Sequence, residues 1–169
     1  MNDKWFVFYT RSRQEKKVDD LLKKRGFESY LPLHTVMRQW SDRRKKVEVP
    51  LFASYIFVQI EEHAIQSVLQ VPGVAWTIRL NGKPAVLHPK ELETIRRFIE
   101  TGLQIDTSEL TDEFFAGDRV KVMDGPLKGA EGILLHTHNR QHHFTMALAS
   151  IGQVITVEID IKIVKRINE

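Results

Sequence analysis

The sequence predicts an α+β fold: an N-terminal antiparallel sheet flanked by helices, followed by a small five-stranded all-β barrel. Three observations predict it. Through the first hundred residues, short apolar strand-like runs alternate with amphipathic helical stretches. From residue 114 onward every signal is of strand type, with glycine and proline turns between. The stretch between them, 103–113, has no clear period and reads as a linker. The expected division is therefore 1–102, a linker at 103–113, and 114–169.

Trp5-Phe6-Val7-Phe8-Tyr9 is a short run of aromatic and β-branched residues and reads as a buried strand. Ser12-Arg13-Gln14-Glu15 has the spacing of a capping box, with Ser12 accepting a backbone N–H and Glu15 reaching back. Val18, Leu21 and Leu22 share one face of the helix that follows. Lys23, Lys24 and Arg25 suit its negative end, and Gly26 stops it. Phe27–Pro32 opens a second strand. The stretch 36–48 is polar and strongly basic and reads as a hairpin or mobile loop around Ser41-Asp42. Pro50–Ile60 returns as a central strand. A short helix over Glu62–Gln70 turns Ile65, Val68 and Leu69 inward, and Val71-Pro72-Gly73 ends it. Val74–Leu80 is a strand closed by the tight-turn pair Asn81-Gly82. Pro89 opens a third helix at a position where a missing N–H is harmless, with Leu92, Ile95, Phe98 and Ile99 inward.

In the second half, strands are expected near 119–123, 131–137, 143–149, 154–159 and 162–166. Val120 and Val122 alternate with polar neighbours, Asp124-Gly125-Pro126 makes a turn, and Gly129 and Gly132 follow. The β-branched 154–164 stretch favours strand over helix.

Composition narrows the function classes. The chain has 169 residues, 42% of them apolar, enough to fill one or two cores. It has no cysteine, so disulfide and thiolate chemistry are excluded. It has no long apolar run, and Met1-Asn2-Asp3-Lys4-Trp5 lacks a signal-peptide pattern. A cytoplasmic protein without membrane contact is expected. The net charge of +3 is unevenly spread: residues 1–100 carry 18 Lys+Arg against 12 Asp+Glu, and residues 101–169 carry 7 against 10. A basic front half suits a polyanion. No nucleophile–base pair, no carboxylate pair on one face and no glycine-rich phosphate loop is present, so no catalytic residues are assigned. His136, His138, His142 and His143 lie close in sequence, but no cysteine joins them and the segment reads as a hairpin tip; no metal is expected.

The segment Phe115–Gly132 resembles the KOW motif, the core of a small SH3-like barrel. Trp5-Phe6-Val7, Glu15-Lys16-Lys17-Val18, Leu51–Val58, Val71-Pro72-Gly73-Val74 and Pro89–Glu93 are similar to the NGN domain. In this order and spacing, the whole chain resembles the NusG family of bacterial transcription elongation factors. The resemblance implies a protein that is not an enzyme, needs no cofactor and acts as a monomer. Its NGN half would present an apolar pocket that receives a helical hairpin of the clamp region of RNA polymerase, hold the clamp closed and suppress pausing. Phe52 and Tyr55 match the pocket positions, with Tyr9 beside them. Arg11 and Arg13 stand where specialised relatives face the non-template DNA strand. Arg43, Arg44, Lys45 and Lys46 form the densest cationic cluster and are assigned to nucleic acid as well.

Two departures refine the resemblance. Ala53-Ser54 replaces the Pro-Gly of the family. Ser150-Ile151-Gly152-Gln153 replaces a bulky apolar pair followed by Gly-Arg, which leaves Ile151 and Gln153 to meet a ribosomal protein or other factor through the KOW barrel. Both point to a specialised paralogue of the UpxY or RfaH type, an antiterminator serving particular operons such as surface-polysaccharide genes. The alternatives are a general elongation factor coupling transcription to translation or termination, and a ribosome-associated RNA-binding KOW protein.

Overall fold

The axis of the N-terminal half is β1 (Lys4–Thr10), and the alternation of its side chains organises everything around it. A computed structural model of the chain describes residues 2–136 and 142–167. The elements run β1, α1 (Glu15–Lys24), β2 (Glu28–Tyr30), β3 (Leu33–Gln39), β4 (Arg44–Pro50), β5 (Tyr55–Ile60), α2 (Ile65–Leu69), β6 (Val74–Thr77), β7 (Arg79–Leu80), β8 (Lys83–Pro84), β9 (Val86–Leu87) and α3 (Pro89–Glu100). Then come β10 (Ile105–Glu109), β11 (Asp118–Val122), β12 (Glu131–His136), β13 (His142–Leu148), β14 (Gln153–Glu158) and β15 (Val164–Arg166).

β1 pairs antiparallel with β5, from Lys4 opposite Ile60 to Tyr9 opposite Tyr55. β6 and β9 pair with its other edge, and β2 extends the sheet beyond β5. Successive side chains on a strand point to opposite faces. Phe6, Phe8, Ile56 and Val58 therefore meet Val18 and Leu22 of α1 and Val68 of α2 in one buried cluster. Val7 and Phe57 point the other way, into a second cluster with Leu92, Ile95 and Phe98 of α3. A sheet buried on both faces explains why β1 and β5 read as continuous apolar runs rather than alternating ones.

The start of α1 differs from the capping box expected at Ser12 and Glu15. The N-cap is Gln14, with no side-chain cap. Arg13 adopts φ 61°, and a turn closed by Gln14 N–H onto the Arg11 carbonyl (3.1 Å) feeds the helix. Glu15 is buried and accepts from the Ser54 N–H at 2.9 Å, so its carboxylate ties α1 to the β4–β5 turn. Ser54 itself stands at φ 65°. A side chain in that left-handed region costs roughly 1–2 kcal/mol, which glycine would avoid. The Glu15 bond and a second one, Thr10 N–H to the Ser54 carbonyl (2.7 Å), hold the turn in place. At α3, Pro89 occupies the first turn as expected, and His88 caps it: Nδ1 accepts the Lys90 N–H (3.1 Å) while Glu91 Oε1 accepts the His88 N–H (2.9 Å).

The C-terminal half is one antiparallel sheet in the order β10-β14-β13-β12-β11-β15. The last five strands lie where the sequence places them. The sixth, β10, comes from the segment read as a linker and pairs with β14 from Ile105–Val157 to Glu109–Gln153. Only Ile105 of its five residues is buried, so its apolar pattern is too thin to register as a strand. His138 lies outside the described residues. Among the described residues no three His, Asp or Glu side chains gather as a metal site.

Candidate functional site

Four aromatic side chains form a row across the β5–β1–β6 part of the N-terminal sheet. Strand pairing puts Tyr9 between Tyr55 and Trp76. The rings of Tyr9 and Trp76 stack at 4.6 Å with an interplanar angle of 3°. Tyr9 meets Tyr55 edge-on at 6.1 Å, and Tyr55 stacks on Phe52 at 6.3 Å. Such pairs are worth about 0.5–1.5 kcal/mol beyond the area they bury. The row runs from solvent to interior: Trp76 is 55% exposed, Tyr9 and Tyr55 are half-buried, and Phe52 is 3% exposed. The structure thus brings Tyr9, Phe52 and Tyr55 together, and adds Trp76. Its place follows from the Tyr9–Trp76 pairing, a register that no local pattern in 74–80 encodes.

Phe52 was expected in an open pocket. It is instead covered, because the C-terminal sheet lies over this face. Phe52, Phe57, Ile95 and Phe98 belong to the same buried cluster as Phe144, Leu148, Ile151 and Ile155. Phe98 of α3 stacks on Phe144 of β13 at 6.2 Å. Polar ties surround the apolar contact. Ser150 N–H donates to Glu91 Oε2 (3.2 Å), Arg97 Nη2 to the Lys128 carbonyl (2.8 Å), and Thr107 Oγ1 to the Leu51 carbonyl (3.4 Å). Burial pushes the Tyr55 phenol above its ordinary pKa, a Gln153 side-chain hydrogen bond opposes that shift, and the charge of Glu109 adds to it.

Ile151 and Gln153, nominated as the partner surface of the second half, are part of this cover. Ile151 is 2% exposed, at the end of a short 3-10 turn that packs beside β9. Gln153 bonds Tyr55. The two surfaces nominated separately from sequence therefore mask each other.

The cationic candidates separate into groups. Arg11 and Arg13 are exposed at the turn before α1. Arg13 lines an open cleft with Lys16, Arg38 and Glu48, between α1 and the β3–β4 hairpin. Arg43, Arg44, Lys45 and Lys46 do not form one cluster. Cross-strand pairing sets Arg38 opposite Lys45 and Gln39 opposite Arg44, so strand alternation sends Arg43 and Lys45 to one face and Arg44 and Lys46 to the other.

The family model described as "Transcription termination factor nusG" matches residues 3–96. The chain is 26% identical to the "Transcription termination/antitermination protein NusG" of Lactococcus lactis, over 92% of this chain and 89% of that one. It is 24% identical to the protein of that name from Neisseria meningitidis, over 99% and 100%. Among solved structures it resembles "Domain interaction in Thermotoga maritima NusG", with a TM-score of 0.54, 22% identity and 99% of each chain covered, a likeness of fold.

Proposed function

Because the chain belongs to the NusG family, we propose that it is a transcription elongation and antitermination factor that grips RNA polymerase through the row Tyr9–Tyr55–Phe52. It is a cytoplasmic binding protein; no step of catalysis is assigned to it. Among the described residues no helix is long and apolar enough to cross a membrane. The observation that carries the proposal is the mutual cover. A half-buried tyrosine held between two other aromatics, one edge-on and one stacked, is a hot-spot geometry, and here it lies beside the cover of the C-terminal sheet. In this closed form the polymerase clamp has only Trp76 and the rims of Tyr9 and Tyr55 to touch. Docking requires the C-terminal sheet to move off, and the apparent dissociation constant is the intrinsic one divided by the open fraction. The displaced sheet then presents Ile151 and Gln153 to a second factor. Each partner promotes the binding of the other, since both select the open form.

A closed resting state suits a factor recruited at particular operons, such as surface-polysaccharide genes, more than one that joins every transcription complex. The Ser150–Gln153 departure supports that narrower role. Relatives named only NusG support the general one. Polymerase binding measured with Tyr55→Ala tests the docking row: a loss of about 2 kcal/mol, or roughly thirtyfold, is expected for a hot-spot tyrosine. Binding equal to that of the unaltered chain would remove Tyr55 from the interface.

A further inference from the structure

The β3–β4 hairpin is a two-stranded sheet of its own, paired from Leu33–Pro50 to Gln39–Arg44. Its tip is a tight turn in which Trp40 N–H donates to the Arg43 carbonyl (2.7 Å). Three observations at that tip lack a structural purpose. Trp40 is 44% exposed and belongs to neither buried cluster. Lys45 Nζ lies 4.8 Å and the Arg43 guanidinium 5.7 Å from the centre of its ring. The 18 residues 33–50 carry five Lys+Arg and two Asp+Glu, an excess as large as that of the whole chain. A hairpin of this size gains little from an exposed indole and loses by crowding like charges around it.

We propose that the hairpin tip is a platform for single-stranded nucleic acid, in which Trp40 stacks an unpaired base and Arg38, Arg43 and Lys45 neutralise the phosphates beside it. Those residues share one face by strand alternation. The two cation–ring contacts place positive charge against the indole, and a base that stacks there takes the ring face from a cation, which is then in reach of the neighbouring phosphate. The pattern of an aromatic flanked by cations is the chemistry that recognises unpaired bases of any sequence. Duplex offers its phosphates but hides its base faces, so it would engage the cations and leave Trp40 idle. From this face the track continues past Arg38 into the cleft lined by Arg13 and Lys16. Lys16 is fixed there by its bond to the Glu48 carbonyl (2.7 Å). The platform deepens the nucleic-acid assignment of Arg13, Arg43 and Lys45 and is independent of polymerase docking, because no residue of the aromatic row takes part.

The test is fluorescence anisotropy of labelled oligothymidine, oligouridine and a duplex of the same length, titrated with the full chain at low salt. Either single strand is expected to bind at least about tenfold more tightly than duplex, and the ratio of the two identifies DNA or RNA as the ligand. Trp40→Ala is expected to cost about tenfold in single-strand affinity, and Trp40→Phe to recover most of it. Arg38→Ala with Lys45→Ala should flatten the slope of log affinity against log salt by about 1.4. The exposed tip makes all of these variants neutral for folding, which unchanged circular dichroism verifies. Duplex binding as tight as single strand, unchanged affinity in Trp40→Ala, or no binding by any probe overturns the proposal.

Discussion

Gly132→Ala is expected to cost about 3 kcal/mol and to melt the C-terminal sheet first. Gly132 sits in β12 opposite Val120, where β12 is also clamped by β13. An added Cβ would run into the Thr145 carbonyl oxygen and lie 2.9 Å from two carbons of the Phe144 ring. The first obstacle is backbone held in the β12–β13 ladder, and the second is a ring pinned by Phe98. Neither can step aside without opening the sheet or its contact with α3. Gly129→Ala is the control: its Cβ meets nothing, so only the strain of its φ of 89° remains, roughly 1 kcal/mol. In a chain of this size a loss of about 3 kcal/mol lowers Tm by roughly 6–12 °C, readily separated by calorimetry from the control. Equal melting of the two variants would mean that β12 and β13 approach less closely than described.

Arg97→Ala combined with Gln153→Ala is expected to tighten polymerase binding by about tenfold. Both side chains stand at the contact between the halves, Arg97 bonded to the Lys128 carbonyl and Gln153 beside the Tyr55 phenol. Arg97 is only partly buried and Lys128 is exposed, so the two contacts together stabilise closure by about 1.5 kcal/mol. Losing them raises the open fraction, and apparent affinity rises with it. The sign is informative. Tyr55→Ala removes a group that polymerase would touch and weakens binding. The double variant removes groups that the closed form uses and polymerase does not touch, and strengthens it. An unchanged affinity, with folding verified, would mean that closure does not limit docking.

Much of the fold was legible because the N-terminal elements carry strong local signals. β1 and β5 are apolar runs, Val18 and Leu22 mark one helix face, and Pro89 marks a helix start. Two of the differences share a cause. Glu15 has the spacing of a capping residue, yet its carboxylate reaches Ser54, a neighbour 39 residues away in the chain. His88 caps α3 although histidine is not among the residues favoured at that position. β10 carries one buried residue and exists because β14 offers an edge to pair with. The Glu15 contact and β10 are settled by tertiary partners, which no local window contains, whereas the His88 cap is made locally with Lys90 and Glu91.

The site divides the same way. Strand neighbours and resemblance together were enough to nominate Tyr9, Phe52 and Tyr55. That they lie under Ile151 and Gln153 was not legible, because two apolar faces in one sequence do not reveal whether they meet each other or something else. The hairpin cations were visible as a run, and their division between two faces became visible only with the register of β3 on β4.

The chain contains no cysteine, so an introduced pair is its sole thiol pair. Arg97→Cys and Lys128→Cys place thiols at an existing contact between the two halves. Bridged by a short bismaleimide, this variant is expected to lose RNA polymerase binding, while the same variant capped singly on each thiol, having lost only the Arg97 tie, binds at least as tightly as the unaltered chain. Bridged protein that binds polymerase as tightly as the capped form would contradict the closed, self-masked resting state.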